Sequence, residues 1–282
     1  MNNQPSQATN PPIVINLSDL YLYYSYDPVN YPTWLKETAA DRFYIGSYFC
    51  EKYFMKSVMR ARNEIFRFAV EQHCGISLVV PLPSDRWATR IKEILKDVIL
   101  NEPSIVEVVV NDFATLFFLD ELRVTSGRSF RITAGRLFFK NYRDPRYEEQ
   151  QQGRTFSFFP QILVGKVDAA ELDLCSIEMD VSAIPEDIEL HFHYPFTYVT
   201  CTQYCEFSSG GLPDTEKFRT GARCGLKCME SVIHTDADGA ALLHLGKAVY
   251  SRSPETLTAS RQADRYIYWP VDEFLGMEGR MQ

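Results

Sequence analysis

The sequence predicts an α/β fold built on a parallel barrel, and three observations carry that prediction. Short runs rich in β-branched residues alternate with amphipathic stretches of helical period. The strand–helix unit recurs roughly five or six times, with shorter helices later in the chain. No Gly-rich phosphate loop follows a strand, which speaks against a nucleotide-binding doubly wound sheet. Together they describe an irregular or incomplete barrel of the TIM type, with a cysteine-bearing loop and a C-terminal β-hairpin extension.

The elements follow in order. "RFYIGS" (42–47) reads as a strand leading into a helix over "YFMKSVMRARNEIFRFAVEQHCG", where Phe54, Val58, Ile65, Phe66 and Ala69 recur at helical spacing and Gly75 stops the run. "ISLVVPLP" (76–83) is the next strand and "DRWATRIKEILKDVIL" the next amphipathic helix. "IVEVVVND" (105–112) is a strand ending in a polar pair before the helix "FATLFFLDEL". "SFRITAG" (129–135), "LDLCSIEMD" (172–180) and "IELHFHYPFTYV" (188–199) are further strands. "VIHTDADGAALLHLGKAVYS" reads as a hairpin turning at Asp238-Gly239. Residues 1–12 read as a disordered lead, 13–250 as the barrel domain, and 251–282 as a tail packed on it.

Composition narrows the function classes. The 282 residues are 45% hydrophobic, enough for a large core, and carry a net charge of −8. That balance attracts no phosphate backbone, and "GRLFFKNYRDPR" is the sole local basic stretch, so no nucleic-acid partner is expected. The leading residues lack a basic segment followed by an apolar run, so no signal peptide is expected. No apolar stretch reaches the ~18 residues of a membrane span. A cytoplasmic setting keeps thiols reduced and favours metal ligation over disulfides.

Cys201, Cys205, Cys224 and Cys228 stand at C-x₃-C-x₁₈-C-x₃-C across a Gly-, Ser- and Pro-rich loop. Tetrahedral zinc prefers the tighter C-x₂-C turn but accepts wider spacings. Iron–sulfur clusters also take four cysteines, with ligands from distant parts of a chain. The bland reading is that two or three are buried cysteines packing as small hydrophobes, as Cys74 and Cys175 are expected to do.

A resemblance sharpens this set. "FYIGSYFCEK" (43–52), "VVVNDFATLFFLDE", "ITAGR", "CSIEMD", "PFTYVTC" and "RCGLKC" occur in an order that resembles the peptidase U32 family, in particular the small iron–sulfur subunits of the anaerobic ubiquinone-biosynthesis hydroxylase pair. It implies a 4Fe-4S cluster held by Cys50, Cys201, Cys224 and Cys228, with Cys205 as the rival of Cys50 and zinc as the alternative metal. It also implies oxygen-independent hydroxylation of a small-molecule substrate, prephenate as oxygen donor, and a second U32-type subunit or a homodimer. Two departures stand out: His193-Tyr194-Pro195 lacks the family's glycine, and "RLFFKNYRDPR" replaces an Asn-rich segment.

Polar residues at strand ends supply the other candidates. Glu178, His193 and Asp112 are read as catalytic, and Arg136, Arg143, Asn111 and Tyr194 as substrate-binding. A dicarboxylate donor calls for bidentate arginines, hence Arg136 and Arg143. Each has a structural counterpart: Asn111-Asp112 as a helix cap, the arginines as ion-paired loop residues, Glu178 as a salt-bridged group, His191 and His193 as satisfied histidines on one strand face. A peptidase activity lacks support, with no Ser-His-Asp order and no H-E-x-x-H helix. A non-catalytic scaffold whose cysteines hold zinc is the remaining alternative.

Overall fold

The computed structural model describes residues 12–20, 40–139, 144, 146, 159–173, 178–179, 181–202, 204–217, 224–229, 232–237, 239–253, 258–259 and 261–271. Eight parallel strands close into a barrel. In chain order they are β1 (Ile13–Asn16), β2 (Arg42–Gly46), β3 (Gly75–Val79), β4 (Ile105–Val110), β5 (Arg131–Ala134), β6 (Ala169–Asp173), β8 (Glu189–Tyr194) and β14 (Arg265–Tyr268). Around the barrel they run β1-β14-β8-β6-β5-β4-β3-β2, with β2 returning to β1 through Ile15 opposite Phe43. The remaining strands, β7 (Glu178–Met179), β9 (Phe196–Cys201), β10 (Ile233–Ala237), β11 (Ala240–Leu245), β12 (Ala248–Arg252) and β13 (Thr258–Ala259), lie outside it.

The predicted TIM-like class is correct, and the barrel is complete. Its closing strand comes from the segment expected to pack on the outside. β14 enters between β1 and β8, pairing Ile267 with Val14 on one side and with His193 on the other. Trp269 then locks the seam, donating Nε1–H to the Ser18 carbonyl (3.1 Å).

Helices cover the first half of the barrel. α1 (Glu51–Ala61) and α2 (Ile65–Glu71) divide what the periodicity predicts as one helix. α3 (Asp85–Asn101) buries Ile91, Ile94, Leu95, Val98 and Ile99, a single helical stripe. α4 (Phe113–Ser126) starts at Asp112, whose side chain accepts from the Thr115 amide, and ends at Gly127 in the left-handed region (φ 67°). Among the described residues no helix is long and apolar enough to cross a membrane.

The later half is irregular. The run 172–180 is not one strand: β6 stops at Asp173, while Glu178 and Met179 form β7, paired with β13 in a separate two-stranded ladder. The run 188–199 also divides, at a cis Tyr194–Pro195 bond, into β8 of the barrel and β9 of a four-stranded antiparallel sheet ordered β10-β11-β12-β9. The hairpin predicted at Asp238-Gly239 joins β10 to β11, which pair from Ala237–Ala240 outward. Because β9 departs from the carboxyl end of β8, this sheet roofs the barrel mouth. Phe49 of the β2 loop stacks on Tyr198 of β9 (4.6 Å), and Tyr250 of β12 packs on Trp269 (4.6 Å).

The lumen is polar, unlike the branched aliphatic filling usual in such barrels. Glu107 of β4 is buried at its centre. It accepts from Thr133 Oγ1 (2.6 Å), Arg42 Nη1 (3.0 Å), Tyr44 Oη (3.4 Å) and Ser77 Oγ, and pairs with Arg265 Nη1 (3.5 Å). Burial works against its charge, yet His191, Arg42, Arg265 and Ser77 together hold this carboxyl well below the usual range. One anion thus ties five strands across the axis.

Candidate active site at the barrel mouth

The mouth is assembled from residues that follow the strands: Asp19 after β1, Ser47 to Cys50 after β2, Asn111 and Asp112 after β4, Arg136 after β5, and Asp173 at the end of β6. The β2 turn needs its glycine. At Gly46 (φ 122°) a Cβ would run into the Val79 carbonyl.

Asn111 and Asp112 are structural braces. Asn111 Nδ2 donates to the Val80 carbonyl (2.8 Å) and its Oδ1 accepts from the Leu137 amide (3.2 Å), joining the ends of β3, β4 and β5. Asp112 caps α4, accepting from Thr115 N (2.8 Å) and Thr115 Oγ1 (2.6 Å). Arg136 is buried and held by Asp173: Nε donates to Oδ2 (3.1 Å) and Nη2 to Oδ1, while its guanidinium faces the rings of Tyr48, Tyr250 and Tyr198 (5.2, 5.7 and 6.0 Å). Burial disfavours its charge, but Asp173 more than offsets this and raises the guanidinium further. Arg136 is therefore engaged within the protein and does not stand open as a carboxylate clamp. Arg143 and Cys175 lie outside the described residues. Tyr194 packs its ring on Tyr268 and Tyr266 (5.1 and 5.9 Å). Glu178 is on β7, away from the barrel strands, opposite Thr258.

Of the residues read as catalytic, His193 meets others of matching chemistry. Its Nε2 lies 3.1 Å from Glu171 Oε2 and 3.4 Å from Tyr48 Oη, and Tyr48 donates to the same Glu171 oxygen at 2.8 Å. Burial lifts Glu171 to about 8. The Tyr48 hydrogen bond opposes that shift, Glu107 in the same lumen adds to it, and Arg136 and the Tyr44 hydroxyl oppose it in turn. Its neighbour His191 contacts Glu189 through Nε2 (3.1 Å), and burial pushes its pKa down. Glu171, Tyr48, Asp173 and Asp19 were not singled out in the sequence. The signal present was alternation in "AAELD", which places Glu171 and Asp173 on one face. Asp19 accepts from Ser47 Oγ and from the Tyr48 amide (3.3 Å); burial raises it to about 6 against those bonds and Arg136.

Cys50 follows β2 at the mouth, and Cys201, Cys205, Cys224 and Cys228 lie at the end of β9 and beyond it. Cys50 ends the β2 loop, its amide donating to Ser47 Oγ (2.9 Å). Burial pushes its thiol up to about 12; the Tyr53 backbone and Lys247 oppose this, while Asp19 and Cys224 add to it. Cys228 is raised by burial first, then by Cys50, Cys205, Cys224 and Asp19. Cys228 thus feels Cys50, Cys205 and Cys224, thiols that with it come from three segments of the chain. Cys201 is exposed at the end of β9, where its Sγ accepts from Tyr198 Oη (3.4 Å). Its neighbour by charge is Tyr250. The resemblance sets Cys201 with Cys50, Cys224 and Cys228, while Cys205 acts by charge on Cys228. Cys74, donating to the Ala40 carbonyl (3.1 Å), stands outside this group.

All six described cysteines are free thiols. Their chemistry suits zinc or an iron–sulfur cluster, since both bind thiolates and binding displaces the thiol protons. Among the described residues no three or more His, Cys, Asp or Glu side chains are already drawn together as a ligand shell. The donor set fits in kind, and a metal would have to pull the loops closer. Comparison of the chain with models of known families and with curated proteins returns no match.

Proposed function

We propose that this chain is a metal-dependent enzyme of the U32 type, acting in oxygen-independent hydroxylation of a small-molecule biosynthetic intermediate in the cytoplasm. The observation that carries the reading is that free Cys50, Cys205 and Cys224 act by charge on free Cys228, without forming a ligand shell among the described residues, in a barrel whose lumen holds a buried acid–base cluster, with Cys50 at the carboxyl end, the face where barrel enzymes place their chemistry. Cys50, Cys224 and Cys228 are the core of the ligand set, with Cys205 or Cys201 as the fourth. A bound 4Fe-4S cluster supplies electron transfer or Lewis acidity. The chain itself holds Tyr48 and Tyr250 against Arg136, shields the mouth under β9 and β12, and keeps Glu171 and His193 in contact. A prephenate-like donor would have to be recognised with Arg136 still bound to Asp173, so Arg143 carries more of that role. The partner is a second U32-type subunit or a second copy of this chain.

Zinc is the second reading, favoured because Cys205 acts by charge on Cys228 and follows β9 in the same part of the chain as Cys224 and Cys228. Metal analysis after purification without oxygen decides between them. The hydroxylase reading expects a brown protein with iron matched by acid-labile sulfide, bleaching when Cys50 is replaced by Ser. Stoichiometric zinc without sulfide, unaffected by Cys50→Ser, would overturn it.

A further inference from the structure

We propose that Glu171 is a proton-bearing donor in the barrel lumen, giving a hydrogen bond from Oε1 to the carbonyl oxygen, or its proton to the phenolate oxygen, of a small planar ligand that enters through the mouth. The geometry assigns each part. Oε2 accepts from Tyr48 Oη (2.8 Å) and faces His193 Nε2 (3.1 Å), so this oxygen is the acceptor end of the group. Oε1 is buried and makes no hydrogen bond of ordinary geometry among the described residues, although the Tyr44 hydroxyl lies near the carboxyl. A buried orphan oxygen of this kind calls for an explanation, and a ligand or water oxygen is the one its chemistry fits.

The contrast with Glu107 strengthens the assignment. Both carboxyls share the lumen, but Glu107 is saturated by arginines and hydroxyls, while Glu171 retains its proton near neutrality, at about 8. Two carboxyls driven apart by their surroundings mark an anion and an acid. The charged and titratable groups around Glu171 are Tyr44 of β2, Tyr48 after it, Glu107 of β4, Arg136 after β5, and His191 and His193 of β8, the last two in register with Glu171 and Asp173 of β6. With a carbonyl the proton stays shared on Glu171 as a hydrogen bond, and with a phenolate the transfer balances without a further reactant. There the proton leaves Oε1 for the ligand oxygen, and the resulting carboxylate keeps its bonds from Tyr48 and from His193 in its Nε2–H form. Above the cluster Phe49 packs on Tyr198 and Tyr250, and Tyr48 faces Arg136, so a ligand reaching Oε1 would replace ring–ring contacts with its own, which suits a planar compound. None of this requires a metal at the cysteines, so metal analysis and this proposal fail independently.

Infrared spectroscopy of the full chain tests it. At pH 7 one protonated carboxyl band should be present, absent in Glu171→Gln, shifted in D₂O while the protein stays folded, and lost as pH rises through about 8. Tyr48→Phe should change the frequency of that band. With 4-hydroxybenzaldehyde as probe, the ligand carbonyl should shift in the wild type and not in Glu171→Gln. Should Glu171→Gln fail to fold, carbon-13 glutamate labelling of the wild type reads the same titration without a variant. No carboxyl titrating above pH 6, or a band that resists D₂O until unfolding, would show a sealed structural group and end the proposal. An unshifted probe carbonyl in the wild type would end the ligand assignment.

Discussion

At the residue scale, the two lumen carboxyls make opposite contributions to stability. Glu171 has its folded pKa raised from 4.5 to about 8, so the native state holds a proton that the unfolded chain releases. Stability is then full below about pH 4.5 and is lost as pH rises towards 8, after which it levels off. Between pH 5 and pH 9 the wild type should lose about 4 kcal/mol relative to Glu171→Gln, measured by urea denaturation at the two pH values. Glu107 is the reverse case, a satisfied anion. Glu107→Gln strands Arg42 and Arg265 in the lumen and should cost roughly 3–5 kcal/mol, read as a lowered thermal midpoint. Alternation in "IVEVVVND" and "AAELD" places both glutamates on one strand face. Which face would be the lumen, and which carboxyl would meet arginines, depends on strands far away in sequence.

At the element scale, the first half of the barrel was legible because each strand and helix buries its own periodic stripe. β4 is nearly all β-branched, α3 repeats its apolar positions at helical spacing, and the Asn-Asp pair does what capping chemistry predicts. Asp112→Ala should therefore cost about 1 kcal/mol of stability, with Asp112→Asn largely restoring it, and neither should alter metal content. An Asp112 acting in catalysis would not be rescued by Asn. The second half was less legible. Runs that looked continuous at 172–180 and 188–199 each serve two sheets, and their partners β13, β12 and β14 come from much later in the chain. Strand pairing of that kind is non-local, and local periodicity carries no record of it.

At the scale of the whole molecule, the barrel is closed by four residues near the end of the described chain. Removing residues 261–282 takes away β14 and exposes the edges of β1 and β8, so the truncated chain should lose cooperative unfolding and bind an apolar dye, unlike the full chain. The same closure explains why Arg136 is buried. The excursion from β8 through β9 to β12 must return to β14 above the mouth, and in doing so it lays Tyr198 and Tyr250 over the guanidinium.

The sequence by itself determined the α/β class, the parallel barrel, the hairpin after the cysteine loop and the polar character of the strand ends. Those follow from side-chain period and turn chemistry, which are local. Only the tertiary structure decided that the barrel closes, that Asp173 engages Arg136, and that Glu171 meets His193. Each of these is a contact between segments tens of residues apart. Its energy comes from burial and charge pairing, which exist only once the chain has closed around them.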